Sequence, residues 1–253
     1  MKNEEIKEER QDLIEGRNAV TEALRAGRAI DKIYLAKGDT DKALGHIAST
    51  ARAAGAVVVE TDRHKLDLMS VTGAHQGVIA VCAVREYVSI DEILQIAQER
   101  EEPPFVIICD EISDPHNLGA IIRTAECAGA HGVIIPKRRS AGMTAVVGKA
   151  SAGAVEHIAV ARVPNITAAI KELKDAGLWI YGTAADGTNE LWRTDLTGPI
   201  GLVIGSEGEG MSRLVAESCD FTVSIPLRGK VSSLNASAAA AVLMYEVLRQ
   251  KSK

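Results

Sequence analysis

Residues 225–237, IPLRGKVSSLNAS, close one apolar run, FTVSIP (221–226), and open another that is nearly pure alanine, AAAAV (238–242). A run rich in β-branched residues that breaks at Pro226, a polar loop, and Asn235 at the head of an alanine-rich stretch together spell a strand-to-helix junction. The pattern occurs twice more. FVIICD (105–110) leads into DPHNLGAIIRTA (114–125), and IGLVIG (200–205) leads into GSEGEGMS (205–212). GVIIP (132–136), residues 158–163 and LWIYGT (178–183) read as further strands, and helices fit near 118–129, 143–152, 165–176, 211–218 and 236–250. Near-continuous apolar strands alternating with helices predict an α/β domain, 105–253, whose parallel sheet is covered on both faces. In such a domain ligand chemistry gathers where strands hand over to helices, which is where these three polar blocks fall.

Upstream the elements alternate on a smaller scale. A helix over 18–26 ends at Gly27, KIYLA (32–36) is a strand, and a helix over 40–54 ends at Gly55. VVVE (57–60) is a strand, Asp62 caps a short helix through Met69, and GVIAVCAV (77–84) is a strongly apolar strand. Residues 11–85 are thus a small α/β domain. Ser89 and Glu92 form a capping-box pattern at the start of a linker helix within 86–104, and Pro103-Pro104 marks the domain boundary. Residues 1–10, MKNEEIKEER, have seven charges and no apolar stretch, so a disordered tail is expected there rather than a leader peptide.

Apolar residues make up 46% of the 253 residues and aromatics only 3%, so aliphatic side chains must fill the cores. No apolar run approaches the length of a membrane span. The four cysteines are far apart, with no CxxC pair, which suits free thiols in a reducing cytoplasm. The six histidines show no metal-ligand spacing, no Ser-His-Asp arrangement stands out, and no metal is expected. The net charge of −5 is concentrated in 86–103, where six acidic residues face one Arg; 104–253 balances at fifteen each. Two near-neutral domains can still bind a polyanion through a local basic face. Lys137-Arg138-Arg139, just past a strand end, is either a solvated loop or such a phosphate contact.

The polar residues of the three blocks are the candidate site. Asn117 stands where a helix N-cap belongs, and Arg123, among Ile121, Ile122 and Ala125, would be a costly buried cation without a partner. A phosphate or ribose oxygen would suit its fork of donors. Gly205, Gly208 and Gly210 make a tight loop whose amides can approach a ligand, with Glu207 inside it. The loop is neither a dinucleotide GxGxxG nor a P-loop, since the spacing differs and no Gly-Lys-Ser/Thr follows. Asn235 occupies a second N-cap position, and the alanines after it permit close packing on a cofactor or on another segment.

Together the three blocks resemble the SpoU (TrmH-like) family of the SPOUT superfamily, RNA ribose 2′-O-methyltransferases that use S-adenosyl-L-methionine. The resemblance covers 104–250. GRNAV (16–20) and GAHQGVIA (73–80) resemble the ribosomal-protein-like, RNA-substrate-binding domain of its two-domain, RlmB-type members. The resemblance implies a C-terminal trefoil knot, a homodimer with the site close to the interface, and ribosomal RNA as partner. Met244, Tyr245, Val247 and Leu248 would serve the core or that interface. Thr183, Gly205, Ile225 and Leu234 match the methyl-donor pocket. Asn117, Arg123, Glu207, Ser233 and Asn235 match residues tied to catalysis or to holding the substrate ribose, while Arg17, Asn18, Lys137, Arg138 and Arg139 are expected RNA contacts. The implied chemistry is in-line attack of a ribose 2′-oxygen on the sulfonium methyl. Arg123 either takes the proton or, paired with phosphate, stabilises the developing alkoxide; guanidinium groups hold their protons tightly. The implied target is a guanosine of bacterial 23S ribosomal RNA, with transfer RNA guanosine and ribosomal adenosine as alternatives. A non-catalytic RNA-binding or ribosome-assembly protein would be expected to lack Arg123 or Asn235, and a nicotinamide oxidoreductase would need an early GxGxxG.

Overall fold

The computed structural model describes residues 12–38 and 41–252; the tail expected over 1–10 lies outside them. The chain divides into two compact units. The first ends at Glu86 and includes Gly142–Val146; the second comprises Tyr87–Ala141 and Val147–Lys253.

The first unit follows the sequence closely: β1 (Leu13–Glu15), α1 (Arg17–Arg25), β2 (Ile30–Ala36), α2 (Lys42–Ala53), β3 (Val57–Thr61), α3 (Arg63–Met69) and β4 (Val78–Cys82). Asp41 and Asp62 cap α2 and α3, their carboxylates accepting from the amides of Ala43 and Lys65, each at 2.8 Å. The strands lie in the order β1-β4-β2-β3, with β4 antiparallel to both neighbours and β2 parallel to β3. Strand β2 alternates along its length, turning Ile33 and Leu35 inward onto Val20, Leu44, Ile47 and Val78. Strand β1 went unread in the sequence because three residues carry no period.

The second unit contains α4 (Ile90–Glu99), β5 (Phe105–Cys109), α5 (Pro115–Cys127), β6 (Gly132–Pro136), β7 (Ala159–Val163), α7 (Ile166–Asp175), β8 (Trp179–Thr183), β9 (Asn189–Glu190), β10 (Ile200–Ile204), α8 (Arg213–Ser218), β11 (Phe221–Ser224) and α9 (Ala236–Lys251); α6 (Ala145–Ala150) spans the division. Its seven strands are all parallel, in the order β7-β6-β5-β10-β8-β11-β9. The central strands β5 and β10 are buried at every residue, the mark of a sheet covered on both faces. None of the described helices is long and apolar enough to cross a membrane.

Helix α4, read from sequence as part of a linker, belongs to this unit. Both halves of its Ser89–Glu92 capping box are present. Its Ile90 and Ile93 enter the core with Ile134 and Ala161, and Ile93 lies over Gly132 so tightly that a Cβ there would come within 2.6 Å of it. The helix needs that surface to bury its apolar stripe, so the division falls before it, at Glu86, rather than at Pro103-Pro104.

At the amino ends of the strands, buried His131 fixes the start of β5. Its Nδ1 accepts from the Phe105 amide at 3.0 Å, which leaves the ring proton on Nε2, 3.0 Å from a Glu102 carboxylate oxygen. Burial pushes this imidazole below its ordinary value, with Glu102 partly opposing the shift.

Candidate functional site

The chain leaves β5 toward β6 and β7 on one side, then crosses to β8 on the other, and β10 later inserts between β5 and β8. Strands β10, β8 and β11 lie side by side in that order, so the segments leaving their carboxyl ends are neighbours. Three stretches wall a cavity of about 450 Å³ there: Thr183–Asp186 after β8, Gly205–Met211 after β10, and the irregular segment after β11 that includes Ile225, Leu227 and Ser232–Leu234. All four expected donor-pocket residues, Thr183, Gly205, Ile225 and Leu234, line it, as do Ser233 and Glu207.

The glycine loop is a closed five-residue turn. The Ser206 and Gly210 amides each donate to the other's carbonyl, at 2.9 and 3.0 Å. Gly208 and Gly210 have φ of +89° and +71°, and a Cβ on Gly205 would collide with the backbone of Gly210 and Met211. Glycine is required for this turn, and the turn thrusts Glu207 outward.

Glu207 joins the three blocks. Its Oε1 accepts from Asn117 Nδ2 at 3.1 Å, from Asn235 Nδ2 in a short contact, and from the Ala236 amide at 3.4 Å. Asn235 Nδ2 also donates to Asn117 Oδ1 at 3.0 Å. The Asn235 oxygen meanwhile caps α9, accepting from the Ser237 and Ala238 amides at 3.0 and 3.2 Å. Residues 90 and 118 positions apart from Asn117 thus meet at one carboxylate oxygen.

Two expectations for α5 need correction. The N-cap is Asp114, whose carboxylate accepts from the His116 amide at 3.0 Å, with Pro115 as the first helical residue. Asn117 lies within the first turn instead, buried, and its side chain is turned to Glu207. Arg123 is exposed, not buried, on a stripe with His116 and Cys127, and has no hydrogen-bond or ion-pair partner among the described residues. Its position, six residues beyond Asn117, is about 9 Å farther along the helix and on a different face. Ile121, Ile122 and Ala125 are buried around it in sequence, but 3.6-residue periodicity carries its side chain outward.

The expected RNA contacts divide. Arg17 is engaged within the first unit: its amide and Nε donate to Gln76 Oε1 and O, at 3.2 and 3.0 Å, and its guanidinium pairs with Asp41. Asn18 beside it is exposed. Lys137, Arg138 and Arg139 follow β6, next to the end of β5; Arg138 and Arg139 are exposed, and Arg139 pairs with Glu111 at 3.0 Å. Met244 and Val247 on α9 are fully buried, whereas Tyr245 is 51% exposed. Burial pushes the Cys109 thiol up to about 12 and that of Cys219 up to about 11, so neither is a ready nucleophile. No cluster that could hold a metal ion occurs among the described residues.

Sequence reasoning missed Asp186 and Glu209, which with Glu207 make the cavity wall acidic; no Lys or Arg lines it. Their only sequence signal was a place three or four residues beyond a predicted strand.

Comparison with known proteins places this geometry. Residues 104–245 match the SpoU rRNA Methylase family, and 13–88 match the RNA 2′-O ribose methyltransferase substrate-binding family. The chain is 48% identical over 240 residues to YacO of Bacillus subtilis, by name a TrmH family tRNA/rRNA methyltransferase, covering 95% of this chain and 96% of that one. Among solved structures it is similar to the SpoU methyltransferase AviRb from Streptomyces viridochromogenes in complex with AdoMet, with 26% identity, a TM-score of 0.60, and 94% and 90% of the two chains covered. It is also similar to an rRNA methyltransferase from Sinorhizobium meliloti, with 25% identity, a TM-score of 0.57, and 96% and 88% covered.

A parallel α/β unit with such a cavity at the carboxyl ends of its strands, joined to an RNA-substrate-binding unit, defines an RNA-modifying transferase. The chain belongs to the SpoU (TrmH) family of RNA 2′-O-ribose methyltransferases, and its methyl donor is S-adenosylmethionine. The cavity's lining is compatible with such a molecule: Ile225, Leu227 and Leu234 make one part apolar, the glycine loop offers open backbone, and Asp186, Glu207 and Glu209 supply negative charge.

Proposed function

We propose that the chain methylates the 2′-oxygen of a guanosine ribose in bacterial 23S ribosomal RNA, as a cytoplasmic homodimer whose site lies close to the interface. The observation that carries the catalytic part is the convergence of Asn117 and Asn235 on Glu207 at the wall of the donor cavity. The two-unit layout, with an RNA-substrate-binding unit ahead of an rRNA-methylase unit, supports the ribosomal substrate.

Thr183, Gly205, Ile225 and Leu234 would hold S-adenosylmethionine, which supplies a methyl group already activated on a sulfonium sulfur. The protein's task is then to orient a ribose hydroxyl and to manage its proton. Glu207, held by three donors, fixes the two asparagines and leaves its second oxygen for a ribose hydroxyl or for the donor's ammonium end. Ser233 stands on the same wall. Arg123, exposed and uncommitted, is free to meet an RNA phosphate or the reacting oxygen, either as base or as stabiliser of the alkoxide. Arg138, Arg139, Lys137 and Asn18 contact the RNA backbone, and Arg17 organises the loop beside Asn18. Tyr245 on the outer side of α9 faces the second protomer. The C-terminal segment would be tucked through a loop as a trefoil knot.

The test is transfer of labelled methyl from S-adenosylmethionine to unmodified ribosomal RNA and to transfer RNA, with the product mapped. Label on a 23S guanosine ribose is expected. Label on transfer RNA alone, or on an adenosine, would overturn the substrate while keeping the reaction.

A further inference from the structure

Asp110 follows β5 directly and is 4% exposed. Its amide extends the strand pairing, donating to the Ile204 carbonyl at 2.8 Å. Its carboxylate accepts the Ser212 amide at 2.7 Å, and no cation pairs with it among the described residues. A carboxylate this deeply buried is costly unless its bond matters to the fold or the site.

Ser212 is where the glycine loop ends. The loop's first end is held by β10, and its middle closes on itself through Ser206 and Gly210. Its far end has two anchors: Asp110, and Met211, which packs over Gly182 so closely that a Cβ there would come within 2.7 Å of it. Asp110 opens the β5-to-α5 connection, and Asn117 stands in the first turn of the helix to which it leads. The carboxylate therefore ties the loop that carries Glu207 to the segment that carries Asn117, across 102 residues of sequence.

We propose that Asp110 is a positioning residue for methyl transfer: by accepting the Ser212 amide it fixes the far end of the 205–212 loop, and so sets both the donor cavity and the meeting of Glu207 with Asn117. The inference rests on the reading of that cavity as the donor site. It requires an acceptor oxygen at this position and not a negative charge.

Three variants test it, read by calorimetric binding of S-adenosylmethionine and by hydrogen exchange of the 205–212 amides in the full chain. Asp110→Ala is expected to bind the donor about tenfold more weakly, the scale of one hydrogen bond. Its loop amides should exchange faster while those of the first unit keep the parent's rates. Asp110→Asn retains an acceptor and should recover donor affinity to within about threefold. Ser212→Pro removes the N–H while leaving Asp110 in place, at a φ of −61° that proline accepts, and should behave as Asp110→Ala does. An unchanged donor affinity in Asp110→Ala or Ser212→Pro would overturn the proposal. So would Asp110→Asn as weak as the alanine variant, which would show that the charge acts instead. A parent chain that binds no donor would overturn the donor reading itself, and the exchange comparison, which needs no donor, would still decide whether Asp110 holds the loop.

Discussion

Asn235 does two jobs with opposite ends of one amide, and an isosteric change separates them. Its oxygen caps α9, a role worth about 1 kcal/mol, and its nitrogen supplies hydrogen bonds to Glu207 and Asn117. In Asn235→Ala both ends are lost. Asn117, 8% exposed, also loses the donor to its oxygen, at about 1–2 kcal/mol, for a total of about 2–3 kcal/mol. At about 2–4 °C per kcal/mol for a chain of this size, the unit should melt about 4–12 °C lower at any pH. Asn235→Asp keeps the cap but sets a second carboxylate against Glu207. Two unit charges about 4 Å apart repel by about 1 kcal/mol in water and about 4 kcal/mol near a protein surface, and the exposure of Glu207 favours the lower part of that range. Uptake of one proton by the pair removes the repulsion and restores a donor. The folded state then binds more protons than the unfolded one, so stability relative to the parent rises as pH falls from about 7.5 to 5. Methyl transfer should drop by about a hundredfold in both variants, the scale of misplaced catalytic groups. The measurement is a melting curve of parent and both variants at the two pH values, with transfer assayed at the higher. A melting deficit of Asn235→Asp that is equal at both pH values, or full activity in that variant, would show that the nitrogen is not the link between the blocks.

Arg123→Ala should abolish methyl transfer and leave calorimetric donor affinity nearly intact, since the side chain lies outside the cavity wall; parallel loss of donor binding would refute the separation. Gly205→Ala should bind no donor, because its Cβ meets backbone that cannot swing aside as a side chain would, and a calorimetric titration matching the parent's would contradict this. His131 is held neutral by burial, so below about 6.5 the unfolded chain takes up a proton that the folded one resists. Its contribution to stability is therefore whole above that value and lost as pH falls through the depressed folded value. Denaturant melts of the parent should show this acid-side slope, and His131→Gln should flatten it. An unchanged slope in the variant would assign the titration to another group.

Much of this was legible because local rules act over short spans. Asp62, Asn235 and the Ser89–Glu92 pair announce helix starts through side chains that accept backbone amides within three residues, and each cap is where the pattern puts it. The continuous apolar runs of β5 and β10 likewise declared a sheet covered on both faces. Asn117 misled for a related reason. Asp114, three residues earlier and followed by proline, is the stronger start signal, and once the helix begins there Asn117 falls inside its first turn. Arg123 misled for a different reason: adjacent buried residues say nothing of its own face, and the 3.6-residue period that buries Ile121, Ile122 and Ala125 turns Arg123 outward with His116 and Cys127.

What no local rule supplies is the meeting of segments. Nothing in GSEGEGMS says that Glu207 will take donors from residues 90 positions upstream and 28 downstream, or that Asp110 will hold the loop's far end. Those contacts follow from strand order: β10 pairs in parallel with β5, so the segments leaving both are neighbours at the same end of the sheet, and β11 brings the alanine-rich helix back beside them. Periodicity finds strands but is indifferent to their order, since any parallel arrangement would bury the same apolar faces. The small residues are where order leaves its trace. Gly205, Gly182 and Gly132 each stand where another segment crosses too closely for a Cβ, and in sequence they read only as loop or strand glycines. Their requirement is not conformational, since none of the three has positive φ. A strand glycine with ordinary dihedrals is therefore better read as a crossing point than as a weak strand residue. Here Gly205 lines the cavity itself, and Gly182 receives Met211, which lines it too.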